Sequence, residues 1–237
     1  MPLWRLPHRR KWWRTADIGV RRVRLKTASR RSDSINCYGS ELDVWLSTDG
    51  VLFVNHDAVF KGHNVEQSSS AELSAIILDN GEHMPTLDEY LAKAKTLKTR
   101  IVLELKAHQT KEKEAEAVAK IVEMVEKYGL TDRTEYISFS LFACKEFKRV
   151  APQGTDIYYL NGELSPAELK TLGFAGFDYS MGPIKKHPEW IEEAHKLGLK
   201  VNVWTIDKEA DMQWLIDQKV DFITTNEPVL LQQLLRK

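Results

Sequence analysis

Only two cysteines, Cys37 and Cys144, occur in 237 residues, too few for a disulfide framework and without the Cys/His spacing of a zinc site. Both thiols read as buried packing groups. No apolar run approaches the roughly 20 residues that a membrane span requires, and the N-terminus lacks the apolar core of a secretory signal. As written, the chain reads as a soluble cytoplasmic protein, with a periplasmic or exported location open if its true N-terminus is missing. Excess charge is also absent, since 34 basic and 34 acidic side chains cancel. Arginine is scarce after residue 31, where Arg100, Arg133, Arg149 and Arg236 stand against nineteen lysines. Before that point the balance reverses. Nine arginines and two lysines face a single acid, Asp17, giving the first 31 residues a net charge of +10 and leaving −10 for the rest. The break sets residues 1–33 apart as a basic, Arg-rich, atypical N-terminal segment ahead of a domain over 34–237. Three readings of the segment stand: a basic arm for nucleic acid or an anionic membrane, an ordinary solvated stretch, or sequence translated out of frame.

What the chain does contain is 43% hydrophobic and 29% charged residues, ordinary for a soluble globular protein and enough for one large domain at this length. The organising stretch is 40–57. Glu41 and Asp43 alternate with Leu42 and Val44, so in an extended strand the two acids share a face. Asp49-Gly50 is a turn signal between apolar runs, and it returns the chain so that His56-Asp57 can approach the acids. These residues alone fit a metal site with a neighbouring proton donor, or the solvated face of an antiparallel sheet.

After a polar loop containing Gly62 and Ser68-Ser69-Ser70, Pro85-Thr86 introduces a helix over 87–97. A strand follows at 100–106, then a long amphipathic helix over 111–128 with Ala115, Val118, Ile121, Val122 and Val125 on one face. Strands at 136–140, 156–160, 174–179, 200–206 and 221–225 alternate with further helices. Seven strand-opened units with short connections predict an α/β fold, a (βα)8 TIM barrel. Its first βα unit would have to come from residues 1–39, which are atypical: 1–31 show neither a clean strand nor a clean helix.

Active sites of such barrels lie at the C-terminal ends of the strands. Glu104 and Lys106 share the face opposite Leu103 and Leu105, beside Glu41 and Asp43 on the neighbouring strand. Three carboxylates converging there repel one another unless a cation lies between them, and a hard divalent ion suits oxygen ligands. An internal Glu104–Lys106 ion pair is the competing reading. Asn202, Trp204 and Asn226 fall on the same rim, with Trp204 serving as core filler or as a substrate wall.

The ordered set Glu41-x-Asp43-Val44, Thr48-Asp49-Gly50, Val54-Asn55-His56-Asp57, Pro85-Thr86-Leu87-x-Glu89, Glu104-Leu105-Lys106, Val203-Trp204-Thr205 and Ile223-Thr224-Thr225-Asn226-x-Pro228 resembles the glycerophosphodiester phosphodiesterases over residues 34–237. The resemblance implies a barrel that hydrolyses a small-molecule glycerophosphodiester to an alcohol and glycerol 3-phosphate with one bound Mg²⁺ or Ca²⁺. By position, Glu41, Asp43 and Glu104 would be metal ligands and His56 one of two catalytic histidines. Lys106 would be a phosphate contact, and Trp204 would pack on the glycerol or head group. The family's opening His-Arg-Gly is matched here only by His8-Arg9-Arg10, which makes His8 the candidate second histidine and Arg9 the candidate phosphate-binding arginine. A frameshifted or misassigned start accounts for the lost glycine, the arginine excess and the charge break together, and such a chain is expected to fold poorly or turn over little. The resemblance leaves two alternatives: a phospholipid phosphodiesterase or lyase that releases a cyclic phosphate, and a catalytically impaired barrel that binds phosphorylated ligands. A nucleic-acid partner would require steep salt-dependent binding through the basic arm.

Overall fold

The computed structural model describes residues 13–15, 37–79 and 81–236. Its strands are β1 (Trp13–Thr15), β2 (Gly39–Leu46), β3 (Leu52–Val54), β4 (Val59–Phe60), β5 (His63–Asn64), β6 (Arg100–Leu105), β7 (Thr134–Ser138), β8 (Ile157–Tyr159), β9 (Gly176–Ser180), β10 (Lys200–Trp204) and β11 (Phe222–Thr225). Among the described residues, β1, β2 and β6 to β11 pair in parallel around a closed ring, and β3 adds to β2 in antiparallel fashion. The ring is an eight-stranded α/β barrel. β1 closes it, with Arg14 opposite Thr224 on one side and Gly39 on the other. That strand lies where the sequence shows none. A three-residue strand held by backbone hydrogen bonds on both edges needs no apolar alternation of its own.

Each ring strand sends alternate residues to the helices and to the barrel interior. On β2, Leu42, Val44 and Leu46 join the main core, and on β6 Ile101, Leu103 and Leu105 do the same. Helix α3 (Lys111–Lys127) packs Ala117, Val118, Ile121, Val122 and Val125 onto them. Ala117, rather than the expected Ala115, is the buried alanine of this face, while Thr110 caps the helix by accepting the Lys113 N–H. The interior is apolar on one side, where Val102, Ile137, Tyr158 and Leu160 cluster. Gly176 is required in this wall: a Cβ there would lie 1.9 Å from the Lys200 carbonyl oxygen. Both cysteines are buried and neither forms a disulfide.

The polar loop expected between β3 and the first barrel helix is structured. It holds the β4–β5 hairpin, which turns at Lys61 and Gly62, and helix α1 (Ser70–Ser74), before α2 (Leu87–Ala94) rejoins the barrel. Trp45, Phe53, Val65, Leu73, Ile76 and Met84 give this excursion its own small core. Asp49 ties it to β2. Hydrogen bonds from Ser70, first, and Ser47 hold its carboxyl down to about 2. The remaining helices are α4 (Leu141–Val150), α5 (Pro166–Thr171), α6 (Met181–Lys186), α7 (Glu189–Lys196), α8 (Glu209–Asp217) and α9 (Pro228–Leu234). No helix among the described residues is long and apolar enough to cross a membrane.

Candidate active site

The register of β2 against β6 sets Asp43 directly opposite Glu104. Glu41 lies two residues earlier on the same inward face. One carboxylate oxygen from each of the three lies within 4.8 Å of the others. All three side chains are buried, at 9%, 3% and 7% exposure for Glu41, Asp43 and Glu104, so they are not a solvated sheet face. Lys106 Nζ reaches Asp43 Oδ1 at 3.1 Å and Glu104 Oε1 at 2.9 Å. The ion pair and the acid cluster are therefore one feature. Burial, and after it the Asp43 charge, push the Glu104 carboxyl from its ordinary 4.5 up to about 7, against the pull of Lys106. Burial works to lower Lys106, but the Asp43 and Glu104 charges outweigh it and hold the ammonium above its ordinary value. Asp43 and Glu104 thus share one lysine, with Glu41 beside them.

His56 is delivered to the same cavity by the chain that leaves β3. The Asn55 N–H donates to the Asp43 carbonyl at 3.1 Å, and Asn55 Nδ2 donates to the Asp57 carbonyl at 2.6 Å. These two bonds fix the turn on which His56 sits. Its Nδ1 lies 2.9 Å from Asp57 Oδ1. With Nδ1–H donated to that carboxylate, Nε2 keeps its lone pair. The ring is 42% exposed, accessible to a substrate.

The cavity, of about 150 Å³, has a charged wall of Glu41, Asp43, Glu104 and Lys106 and an apolar wall of Ile137, Phe139, Leu160 and Trp204. Trp204 is fixed by its Nε1–H, which donates to the Asp178 carbonyl at 2.8 Å, and it meets Phe139 edge-on at 5.7 Å. It is half-buried and walls the cavity as well as packing on the interior cluster. Asn202, expected on the rim, is fully buried below it, donating through Nδ2 to the Asp178 carboxylate and to Thr224 Oγ1. Asn226 is turned away from the cavity and bonds Asp207 through its backbone N–H and its side chain. His8 and Arg9 lie outside the described residues.

Asp178 and Phe139 also line the cavity, and sequence reasoning passed over both. Asp178 alternates with Phe177 and Tyr179 on a predicted strand, a period-2 signal that marks it as inward. Phe139 lies just past the end of β7 but inside the strand expected over 136–140, where it shares a face with Ile137, the same period-2 signal.

The donor set fits a hard divalent cation: three buried carboxylates from two adjacent strands converge and offer oxygen alone, the donor type such an ion takes.

Residues 39–230 match the family model described as the Glycerophosphoryl diester phosphodiesterase family. A curated glycerophosphodiester phosphodiesterase of Caldanaerobacter subterraneus subsp. tengcongensis is 27% identical over 225 residues, 89% of this chain and 90% of that protein. Among solved structures, a glycerophosphodiester phosphodiesterase from Parabacteroides distasonis is 42% identical, with a TM-score of 0.89 over 95% of this chain and 97% of its own. A phosphodiesterase from Oleispira antarctica, solved in complex with the product sn-glycerol-3-phosphate, is 21% identical with a TM-score of 0.80, covering 95% of this chain and 97% of that one. That last likeness is one of fold.

Proposed function

The chain belongs to the glycerophosphoryl diester phosphodiesterase family, and from that premise we propose that it hydrolyses glycerophosphodiesters to an alcohol and glycerol 3-phosphate, with Glu41, Asp43 and Glu104 holding one Mg²⁺ or Ca²⁺. The observation that carries this reading is the convergence of three buried carboxylates, Lys106 and His56 on one cavity at the C-terminal end of the barrel. When bound, the ion would supply positive charge to the phosphodiester oxygens. Lys106 stays charged and adds a second positive centre for the phosphate. The reaction adds hydroxide to phosphorus and a proton to the departing alkoxide, so one group must take a proton from water while another gives one to the alcohol. His56 Nε2 serves one of these transfers, with Asp57 orienting the ring. His8 is the proposed partner for the other, and Arg9 a further phosphate contact. Trp204, Phe139 and Leu160 pack on the carbon skeleton and exclude water from that side.

The test is release of glycerol 3-phosphate from glycerophosphocholine by the purified chain, with and without chelator. His56→Asn is expected to lower kcat by about 10²- to 10⁴-fold while Ca²⁺ or Mg²⁺ binding, read by calorimetry, is kept. Glu104→Gln is expected to lose both. A cyclic phosphate as the final product would reassign the chain to a lyase. A folded, metal-binding chain without turnover would make it a barrel that only binds phosphorylated ligands.

A further inference from the structure

The parallel ladder between β2 and β6 runs regularly to the bond from the Lys106 N–H to the Val44 carbonyl, 3.1 Å. The next bond of such a ladder would join the Leu46 N–H to the Lys106 carbonyl. Instead the imidazole of His108 stands between those two groups. Leu46 N–H donates to Nε2 at 2.9 Å, and Nδ1 lies 2.7 Å from the Lys106 carbonyl, which only an Nδ1–H can serve. The strands thus diverge by one imidazole ring just beyond the residues that carry Asp43, Glu104 and Lys106.

The ring is held in place from every side. Its backbone N–H donates to Glu114 Oε1 at 3.1 Å, and Glu114 is in turn bonded by Ser140. The following residue, Gln109, donates its N–H to Glu66 Oε1 at 2.9 Å, and Lys113 donates to the Glu66 carbonyl at 2.9 Å. Both carboxylates are buried. The Trp45 ring lies against the imidazole at 5.4 Å. Burial lowers the ring's pKa below the ordinary 6.5, outweighing the opposite pulls of the Lys106 carbonyl, Glu66 and Glu114. The acceptor role of Nε2 requires that neutral form.

We infer that His108 is a positioning residue for the metal cluster: by replacing one ladder bond with an imidazole bridge, it sets the separation of the strand ends that bring Asp43 to Glu104 and Lys106. This rests on the metal reading above. Groups that orient metal ligands typically cost 10- to 100-fold in metal affinity when removed.

Two variants divide the bridge in half. In His108→Gln, Oε1 is as many bonds from Cα as Nε2 and can still accept from Leu46. In His108→Asn, Nδ2 stands in for Nδ1 and can still donate to the Lys106 carbonyl, but Leu46 loses its partner. Calorimetric titration with Ca²⁺ should give His108→Gln an affinity within about threefold of the unaltered chain, with His108→Asn weakened about tenfold or more. Amide hydrogen exchange should find Leu46 protected in the unaltered chain and in His108→Gln, and unprotected in His108→Asn. Equal affinity in all three chains, Asn matching or exceeding Gln, or Gln weakened as far as Asn would each overturn the inference. So would an unprotected Leu46 amide in the unaltered chain, a measurement that needs no variant to fold. Failure of the unaltered chain to bind metal would instead strike the proposed function.

Discussion

Glu104→Gln tests the electrostatics of the cluster through stability alone. In the metal-free fold the Glu104 carboxyl is raised from 4.5 to about 7, so between those values the folded chain holds a proton that the unfolded chain has released. The stabilising contribution of the protonated form is complete below pH 4.5 and is lost as pH rises through 7. At about 1.4 kcal/mol per pH unit this amounts to about 3 kcal/mol over the interval. Lys106 stays charged throughout, because its two carboxylates hold its proton. Glutamine has no proton to lose. In chelator, the variant should therefore match the unaltered chain near pH 4.5 and exceed it by about 3 kcal/mol at pH 8. Saturating Mg²⁺ or Ca²⁺ should reverse the order, since a ligand at 1,000 times its Kd adds about 4.1 kcal/mol to the chain that binds it. Urea unfolding at a series of pH values, with chelator and with metal, reads both effects. Parallel pH curves for the two chains in chelator would refute the account of Glu104, and equal stabilisation by metal would refute its role as a ligand.

Removing the shared cation should act in the opposite sense. Lys106→Met leaves Asp43 and Glu104 buried without their ammonium, and at pH 8 in chelator it should cost about 3–5 kcal/mol; recovery of most of that loss on adding Ca²⁺ is expected, and a neutral substitution in chelator would contradict the ion-pair geometry. Gly176→Ala should be severe for a purely steric reason. The new Cβ meets the Lys200 backbone at 1.9 Å, which no rotamer relieves, so β9 and β10 must separate at a cost of about 3 kcal/mol or more. A urea midpoint unchanged within error would show that the two strands are not so close.

Much of the barrel is legible locally. Glu41 with Asp43, and Glu104 with Lys106, share a face because side chains two apart on a strand must, and the structure keeps both pairs inward. The capping boxes at Ser69 and Glu72, Thr86 and Glu89, and Ser165 and Glu168 are helix starts built within four residues. The excursion between β3 and α2 was less readable, because its hairpin is two residues deep on each side and its core draws on Trp45 and Phe53 from outside it. The rim readings of Asn202 and Asn226 went astray for a related reason. Strand direction told which way Asn202 faces, but not that Asp178 and Thr224 would bury it, and Asn226 follows Asp207, a residue 19 positions away.

By itself the sequence determined the alternation of strands and helices, the inward face of each acid-bearing strand and the family to which the ordered motifs point, because steric periodicity and capping act over a few neighbouring residues. Only the tertiary structure decided that Asp43 meets Glu104, that His108 spreads the strands beyond them, and that Trp13–Thr15 closes the ring. Those outcomes depend on backbone groups pairing across long separations, and a backbone hydrogen bond leaves no mark on the identity of the side chain that rides above it.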